Sequence, residues 1–269
     1  MKKLFFCFVF AVLLTPLRAA SKGGPERMVV VVPVADVRSE PTAGTLTYDY
    51  DANRETQVLM GEVVQVLERK KGWVRVQCDE QKEFTHKSAW EGYPGWIEEK
   101  YLSSDLSKQD MPKKSDLGED ALRQKILDEA RRHIGESYLW GGRSLHDEGV
   151  KVAPTGVDCS GLINWSFRQM GWLIPRDAHE QYMEARQIDP AKIKPGDLVF
   201  LAKANQPDKI VHVAFYSGDG KLLEAPQTGL NVREIPVQQR FGKSLKKMKN
   251  GMKIGDRIIY FGSFFGGTK

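Results

Sequence analysis

The stretch "GVDCSGLINWSFRQMGW", residues 156–172, sets one cysteine, Cys159, directly behind an acid and ahead of a Ser-Gly pair, at the head of a periodic apolar run. Beyond Gly161, the residues Leu162, Ile163, Trp165, Phe167 and Met170 recur at three- and four-residue steps, the one-face pattern of a helix. Asp158 then reads as the N-cap, with Cys159 in the first turn. Unpaired backbone N–H groups and the positive end of the helix dipole favour thiolate over thiol at such a position. Two readings stay open at this point: a nucleophile seated at a helix start, or a small residue closing a core.

The chain of 269 residues opens "MKKLFFCFVFAVLLTPLRAAS", in which Lys2 and Lys3 precede an apolar stretch to Leu14, followed by the small residues Ala19, Ala20 and Ser21. This is the pattern of a secretory signal peptide over residues 1–20, cleaved near Ala20, with an uncleaved N-terminal anchor as the alternative. The run is short for a membrane span and nothing later resembles one. The expectation is therefore an exported protein, periplasmic or extracellular, with no membrane anchor and no obligate protein partner. The chain has 40 basic and 35 acidic residues, and once Lys2, Lys3 and Arg18 leave with the leader the remainder carries only +2. That balance gives no ground for nucleic acid or an anionic membrane as a partner. The late cluster Lys243, Lys246, Lys247, Lys249 and Lys253 reads as a solvated loop.

Without Cys7, only Cys78 and Cys159 remain in an oxidising compartment, either free or joined in one disulfide. Cys78 ends the alternating strand "WVRVQC", where it shares a face with Val74 and Val76 and reads as a buried small hydrophobe. No Cys/His spacing fits a zinc site, and no metal or cofactor is expected.

From residue 28 to 102 the chain is a series of short alternating strands, "MVVVVPVADVR", "QVLMGEVVQVLE", "GWVRVQC" and "GYPGWIEEKYL", separated by Gly-, Pro- and Asp-containing turns. A small all-β barrel follows from that pattern. Residues 103–120 are polar, interrupted by Pro112 and without periodicity, so they read as a linker. Residues 121–269 begin with a helix whose stripe is Ala121, Leu122, Ile126, Leu127, Ala130 and Ile134. They pass through the Cys159 helix and end in the strands "GDLVFLA", "IVHVAFYSG", "KLLEAP" and "GDRIIYFGSF". Helices first and antiparallel strands afterwards make this part an α+β domain.

A cysteine peptidase needs a thiolate, an imidazole within hydrogen-bond reach and a group that fixes the imidazole tautomer. Of five histidines, His212 alone stands in a strongly apolar strand, where it is either a base or a satisfied core residue. Cysteine, then histidine on a later strand, then a polar residue on the next strand is the order of papain-like peptidases. Counting outward from the tight "SGDG" turn at 217–220 brings Asp219, His212 and Glu224 within range of one another across a hairpin. Glu224 is either the partner of His212 or an ordinary solvent-facing glutamate.

Two resemblances sharpen these readings. Val37, Arg38, Pro41, Gly61, Glu62, Gly72, Trp73, Gly95 and Trp96 follow the pattern of bacterial SH3 domains. The blocks "SYLWGGRS", "DCSGLINWSFRQMGWLIPRDAHEQ", "IKPGDLVFLA" and "HVAFYSGDGKLLEAP" resemble, in that order, the NlpC family of cell-wall cysteine peptidases. The resemblance implies a papain-like peptidase domain behind an SH3-like barrel. It also implies cleavage of peptidoglycan stem peptides between D-glutamate and the diamino acid joined through its side chain. Carried over, Cys159 is the nucleophile, His212 the base and Glu224 the third catalytic residue, in a place where the family commonly has histidine or a neutral amide.

Tyr138, Asp158, Ser160, Arg176 and Asp177 make up the implied oxyanion and substrate set, with Tyr138 alternatively a core aromatic packed on Trp140. Asp177 of the "RD" pair would bind the free amine of an N-terminal L-alanine, or else merely cap the helix that follows. Ala178 stands where related chains often carry serine, which weakens that amine site. A catalytically inert wall-binding module and an acyltransferase or amidase on the same scaffold are the competing functions.

Overall fold

Valines at alternating positions give the first third of the chain one apolar face to hide, and seven short antiparallel strands curl around it. The computed structural model describes residues 24–266; the leader expected over residues 1–20 lies outside them. The strands are β1 (Arg27–Val30), β2 (Val34–Arg38), β3 (Arg54–Leu59), β4 (Val63–Lys70), β5 (Trp73–Phe84), β6 (Trp90–Glu98) and β7 (Leu102–Ser103). They lie in the order β3-β2-β6-β5-β4-β1-β7 around Val30, Val37, Val58, Val64, Val76, Cys78 and Ile97. "MVVVVPVADVR" is not one strand but two, β1 and β2. Pro33 offers the ladder no N–H, and the chain turns there.

Residues 103–120 are more fixed than their composition suggests. The Asp110 N–H donates to the Gly61 carbonyl and the Ser115 N–H to that of Met170, so this segment is laid along both halves of the molecule.

The second half holds α1 (Glu119–Arg131), α2 (Cys159–Gln169), α3 (Ala178–Glu184), β8 (Arg186–Gln187), β9 (Leu198–Lys203), β10 (Gln206–Gly218), β11 (Lys221–Glu224), β12 (Arg233–Pro236), α4 (Val237–Phe241), β13 (Met252–Ile254) and β14 (Arg257–Ser263). Its sheet runs β12-β11-β10-β9-β14-β13, with β8 paired to the end of β14. Leu198, Phe200 and Ala202 of β9 enter the core shared with the helices, whereas Val199 and Leu201 enter a second core on the other face. Burial on both faces explains why this strand is continuously apolar rather than alternating. The lysines at 243, 246, 247, 249 and 253 are exposed.

Helix α2 departs from a one-faced amphipathic helix, because residues 159 to 168 are all buried, Asn164, Ser166 and Arg168 included. Its polar face is covered by the barrel. Arg168 Nε lies 2.8 Å from Glu62 Oε1 and 2.9 Å from Glu80 Oε2, and Arg143 Nη1 lies 2.6 Å from Glu62 Oε1. Arg143 Nε donates to Asn164 Oδ1, and the Gln57 side chain accepts from Arg143 N and Ser144 Oγ while donating to the Pro154 carbonyl. Two buried barrel carboxylates thus face two buried arginines of the other half. Such a network fixes how the halves dock more than it stabilises them, since each ion gave up its hydration on burial.

Removing one partner exposes that cost. Arg143→Met is expected to lower the stability of the folded chain by about 3 kcal/mol, because Glu62 and Glu80 are then left to share Arg168 alone. Arg143→Met with Glu62→Gln should recover part of the loss. Urea unfolding of the two single variants and the double variant, read as a mutant cycle, checks this.

Candidate active site

The site is organised by the first turn of α2. Asp158 is its N-cap, and Oδ1 accepts from Gly161 N at 2.6 Å. The other oxygen, Oδ2, accepts from Gly141 N at 3.0 Å, which ties the "WGG" loop to the helix start. The loop comes so close that a Cβ on Gly161 would stand 2.0 Å from the Gly142 carbonyl oxygen, so position 161 admits only glycine. Cys159 is the first residue of α2, and its own N–H is one of the helix-start donors without an intrahelical acceptor.

Arg176 completes this framework. Its guanidinium donates to both Asp158 oxygens (3.1 and 2.7 Å), to Ser160 Oγ (2.9 Å) and, across the domain junction, to Thr56 Oγ1 of the barrel (2.7 Å). Asp158, Ser160 and Arg176 are 7, 5 and 0 % exposed. The sequence grouped these three with the substrate contacts. Their polar atoms are bonded to one another, and together they brace the helix start that carries Cys159.

His212 and Glu224 meet through strand register. Phe215 of β10 lies opposite Leu223 of β11, so alternation puts Glu224 on the same face as His212 and diagonal to it. A bulge between Ile210 and His212 shifts the register just before the imidazole, a common device for re-aiming a side chain. His212 Nε2 is 3.0 Å from Glu224 Oε2, which leaves Nδ1 for Cys159, whose thiol lies close enough to act on the imidazole pKa. Glu224 is 1 % exposed and so is not a solvent-facing glutamate. Asp219 takes no part; it stays in the turn with φ of 49°.

Burial alone would push the imidazole of His212 down, but the hydrogen bonds and charges of Cys159 and Glu224 outweigh it and raise its pKa to about 9. Burial would likewise push Glu224 up. His212, Arg240 and Arg233 outweigh it and hold the carboxyl at about 2.

Tyr138 is buried, and burial together with the neighbouring Cys159 and Asp158 keeps its phenol protonated, pushing its pKa up. Trp140 does not pack on it; it is 41 % exposed and meets Tyr50 of the barrel edge-on. Asp177 sits at the N-cap of α3 without making a cap hydrogen bond, and its side chain stays 42 % exposed. It accepts from Tyr93 Oη of β6 at 3.0 Å. Its pKa is pushed up to about 6 by its protein surroundings and the acids Asp158 and Glu180, against the pull of Arg176.

Glu55 and Glu83 of the barrel are raised by burial and by Asp177, Glu83 to about 7. Tyr93, Glu55 and Glu83 were missed in the sequence because they lie on barrel strands, Tyr93 in the barrel core and the two acids at polar positions, outside any local catalytic motif. Only the docking of the barrel brings them to Asp177.

Cys78 and Cys159 are both free, the former in the barrel core, so no disulfide joins them. A cavity of about 900 Å³ lined by Trp90, Lys114, Trp172, Met183, Arg186 and Phe264 lies at the other end of α2 and includes none of these residues. Among the described residues no cluster of three or more His, Cys, Asp or Glu side chains could hold a metal ion, and no helix is long and apolar enough to cross a membrane.

Residues 135–262 match the NlpC/P60 family, and residues 48–82 match the bacterial dipeptidyl-peptidase SH3 domain. The chain is 37% identical over 120 residues to the peptidoglycan endopeptidase RipB of Mycobacterium tuberculosis, covering 42% of this chain and 47% of that protein. It is 28% identical over 151 residues to the bifunctional muramidase/DL-endopeptidase CwlT of Bacillus subtilis, covering 55% of this chain and 43% of that one. The chain thus spans less than half the length of these curated relatives. An NlpC/P60 family protein from Bacillus cereus shares the fold, with a TM-score of 0.63 at 22% identity over 78% of this chain and 94% of that one.

The two shifted groups set opposite pH limits on stability. Glu224 is depressed from 4.5 to about 2, so its contribution is complete above pH 4.5 and lost as the pH falls toward 2. His212 is raised from 6.5 to about 9, so its contribution is complete below pH 6.5 and lost as the pH rises through 9. The gap in Tm between the wild type and Glu224→Gln should therefore be widest between pH 4.5 and 6.5 and should narrow on both sides. Thermal melts across pH measure it.

Proposed function

The chain carries an NlpC/P60 domain, and from that premise we propose that it is a cysteine endopeptidase of peptidoglycan stem peptides. It cuts the bond between γ-D-glutamate and the diamino acid and prefers peptides whose N-terminal L-alanine amine is free. The observation that carries this reading is the position of Asp177. Its carboxylate is half open, is not used as a helix cap, and is faced by Glu55 and Glu83 from the barrel. Arg176, the nearest cation at 3.6 Å, is already bound to Asp158. A substrate ammonium supplies the charge this pocket lacks. An acylated amine would leave the acids unpaired, which costs affinity and excludes stems still joined to glycan through that nitrogen.

Cys159 thiolate attacks the γ-carbonyl carbon of the D-glutamyl residue. The N–H of Cys159 and the phenol of Tyr138 donate to the oxyanion as it forms. Imidazolium of His212, held by Glu224, gives its proton to the leaving amine of the diamino acid. Neutral His212 then takes a proton from the water that hydrolyses the acyl-enzyme. The meeting of Cys159, His212 and Glu224, with His212 bonded to Glu224, argues against an inert binding module. The charged pocket argues against an acyltransferase, which needs an apolar groove. In this reading the barrel is a wall of the cleft rather than a separate anchor, and a leader over residues 1–20 delivers the enzyme to the compartment where stem peptides occur.

Mass spectrometry of two synthetic stem peptides, one with a free and one with an acetylated alanine amine, tests the proposal. The free peptide should be cut after the D-glutamyl residue, the acetylated one at least ~100-fold more slowly, and Cys159→Ala should cut neither. Asp177→Asn should raise KM for the free peptide, and the wild-type KM should climb as the pH falls below about 6, where Asp177 takes up a proton. Equal cleavage of both peptides overturns the amine preference, and no cleavage of either overturns the peptidase reading.

A further inference from the structure

Glu224 has more partners than a triad requires. Its Oε1 accepts from Arg233 Nη2 at 2.8 Å, Arg233 Nε at 3.2 Å and Arg240 Nε at 3.1 Å; its Oε2 accepts from His212 Nε2 at 3.0 Å and again from Arg240 Nε at 3.2 Å. One buried carboxylate is therefore shared between an imidazole and two guanidiniums, and Arg240 straddles both of its oxygens.

The fold supplies both arginines. Arg233 lies directly opposite Glu224 in the β11–β12 ladder, and Arg240 comes from α4, the short helix that follows β12. Both side chains are partly solvated, 38 and 30 % exposed, so their charges remain while only one edge of each enters the site.

We propose that Arg240, seconded by Arg233, is a positioning residue that turns the Glu224 carboxylate toward His212 and offsets its negative charge, so setting the upper pH at which the Cys159–His212 pair works. A lone buried carboxylate would hold imidazolium so firmly that His212 could not easily act as the base that deacylation needs. Two guanidiniums on the same carboxylate weaken that hold, bringing a negatively charged third residue closer to the behaviour of a neutral one.

Few other charges bear on the pair. Tyr138 and Asp158 lie on the Cys159 side, and Asp158 is matched by Arg176. Glu234, next to Arg233 in sequence, is turned to Arg131 of α1. On α3, Glu180 and His179 feel Lys209 of β10.

The inference deepens the peptidase reading, but its test does not depend on which peptide is cut. Iodoacetate, an anion whose attack by Cys159 is assisted by imidazolium, reports loss of the His212 proton as a fall in alkylation rate at high pH. The midpoint of that fall, measured on the full chain, should move up by about half a unit or more in Arg240→Gln. In Arg240→Lys, which keeps the charge, it should move by no more than about half that amount. Arg233→Gln, which touches a single oxygen, should move it upward by less than Arg240→Gln, and serves if the Arg240 variants do not fold. An unmoved midpoint in whichever Gln variants fold, or equal midpoints for Arg240→Lys and Arg240→Gln, overturns the proposal. The expected shifts without cleavage of any stem peptide would sink the proposed function and leave this inference standing.

Discussion

One carboxylate, that of Asp158, holds the arrangement together. It caps α2 through Gly161 N, receives Gly141 N from the preceding loop and is gripped by Arg176, which also reaches Thr56 in the barrel. Three parts of the chain that are distant in sequence are thereby fixed to the first turn of one helix. In the proposed reaction the thiol acts at a helix terminus, where fraying by a single residue would move both the sulfur and the N–H offered to the developing oxyanion. A neutral cap could satisfy Gly161 N, but it could not hold the Arg176 guanidinium with charge-assisted bonds at the same time.

The same logic extends to the barrel. Its face toward the rest of the molecule is not apolar. It presents Gln57, Glu62 and Glu80 to Arg143 and Arg168, and the interface reads in the sequence like ordinary solvated surface. Polar docking of this kind gives orientation, since hydrogen bonds and ion pairs are satisfied at one register only, whereas an apolar contact tolerates sliding. Orientation is what the cleft requires, because Tyr93, Glu55 and Glu83 reach Asp177 only in that pose.

Much of the fold was legible in the sequence because its signals are local. Alternating valines made the barrel, a three- and four-residue apolar step made α2, and continuous apolar runs made the two-sided strands β9 and β10. The pairing of His212 with Glu224 was legible too, because a tight turn fixes register across a hairpin. Less local effects were not. Nothing near Arg168 or Asn164 announces that their face of α2 is covered, and the barrel acids near Asp177, Glu55 and Glu83, lie 122 and 94 residues before it in the chain. Arg233 and Arg240 were likewise invisible as partners of Glu224, being ordinary basic residues on a strand and a short helix whose placement depends on the sheet order.

The acids around Asp177 have a consequence for the end of the proposed reaction as well as its beginning. Hydrolysis of the acyl-enzyme turns a neutral γ-amide into a carboxylate on the very fragment whose amine the pocket holds. The released dipeptide therefore carries one more negative charge than the same segment did in the substrate, inside a region where Glu55, Glu83, Asp177 and Glu180 all resist further negative charge. At the amine end of the cleft, the field that attracts the substrate's ammonium repels this added charge. In the proposed reaction that repulsion works against the pull of the α2 N-terminus and the His212 imidazolium on the new carboxylate, so the charge that the chemistry creates eases the fragment's departure.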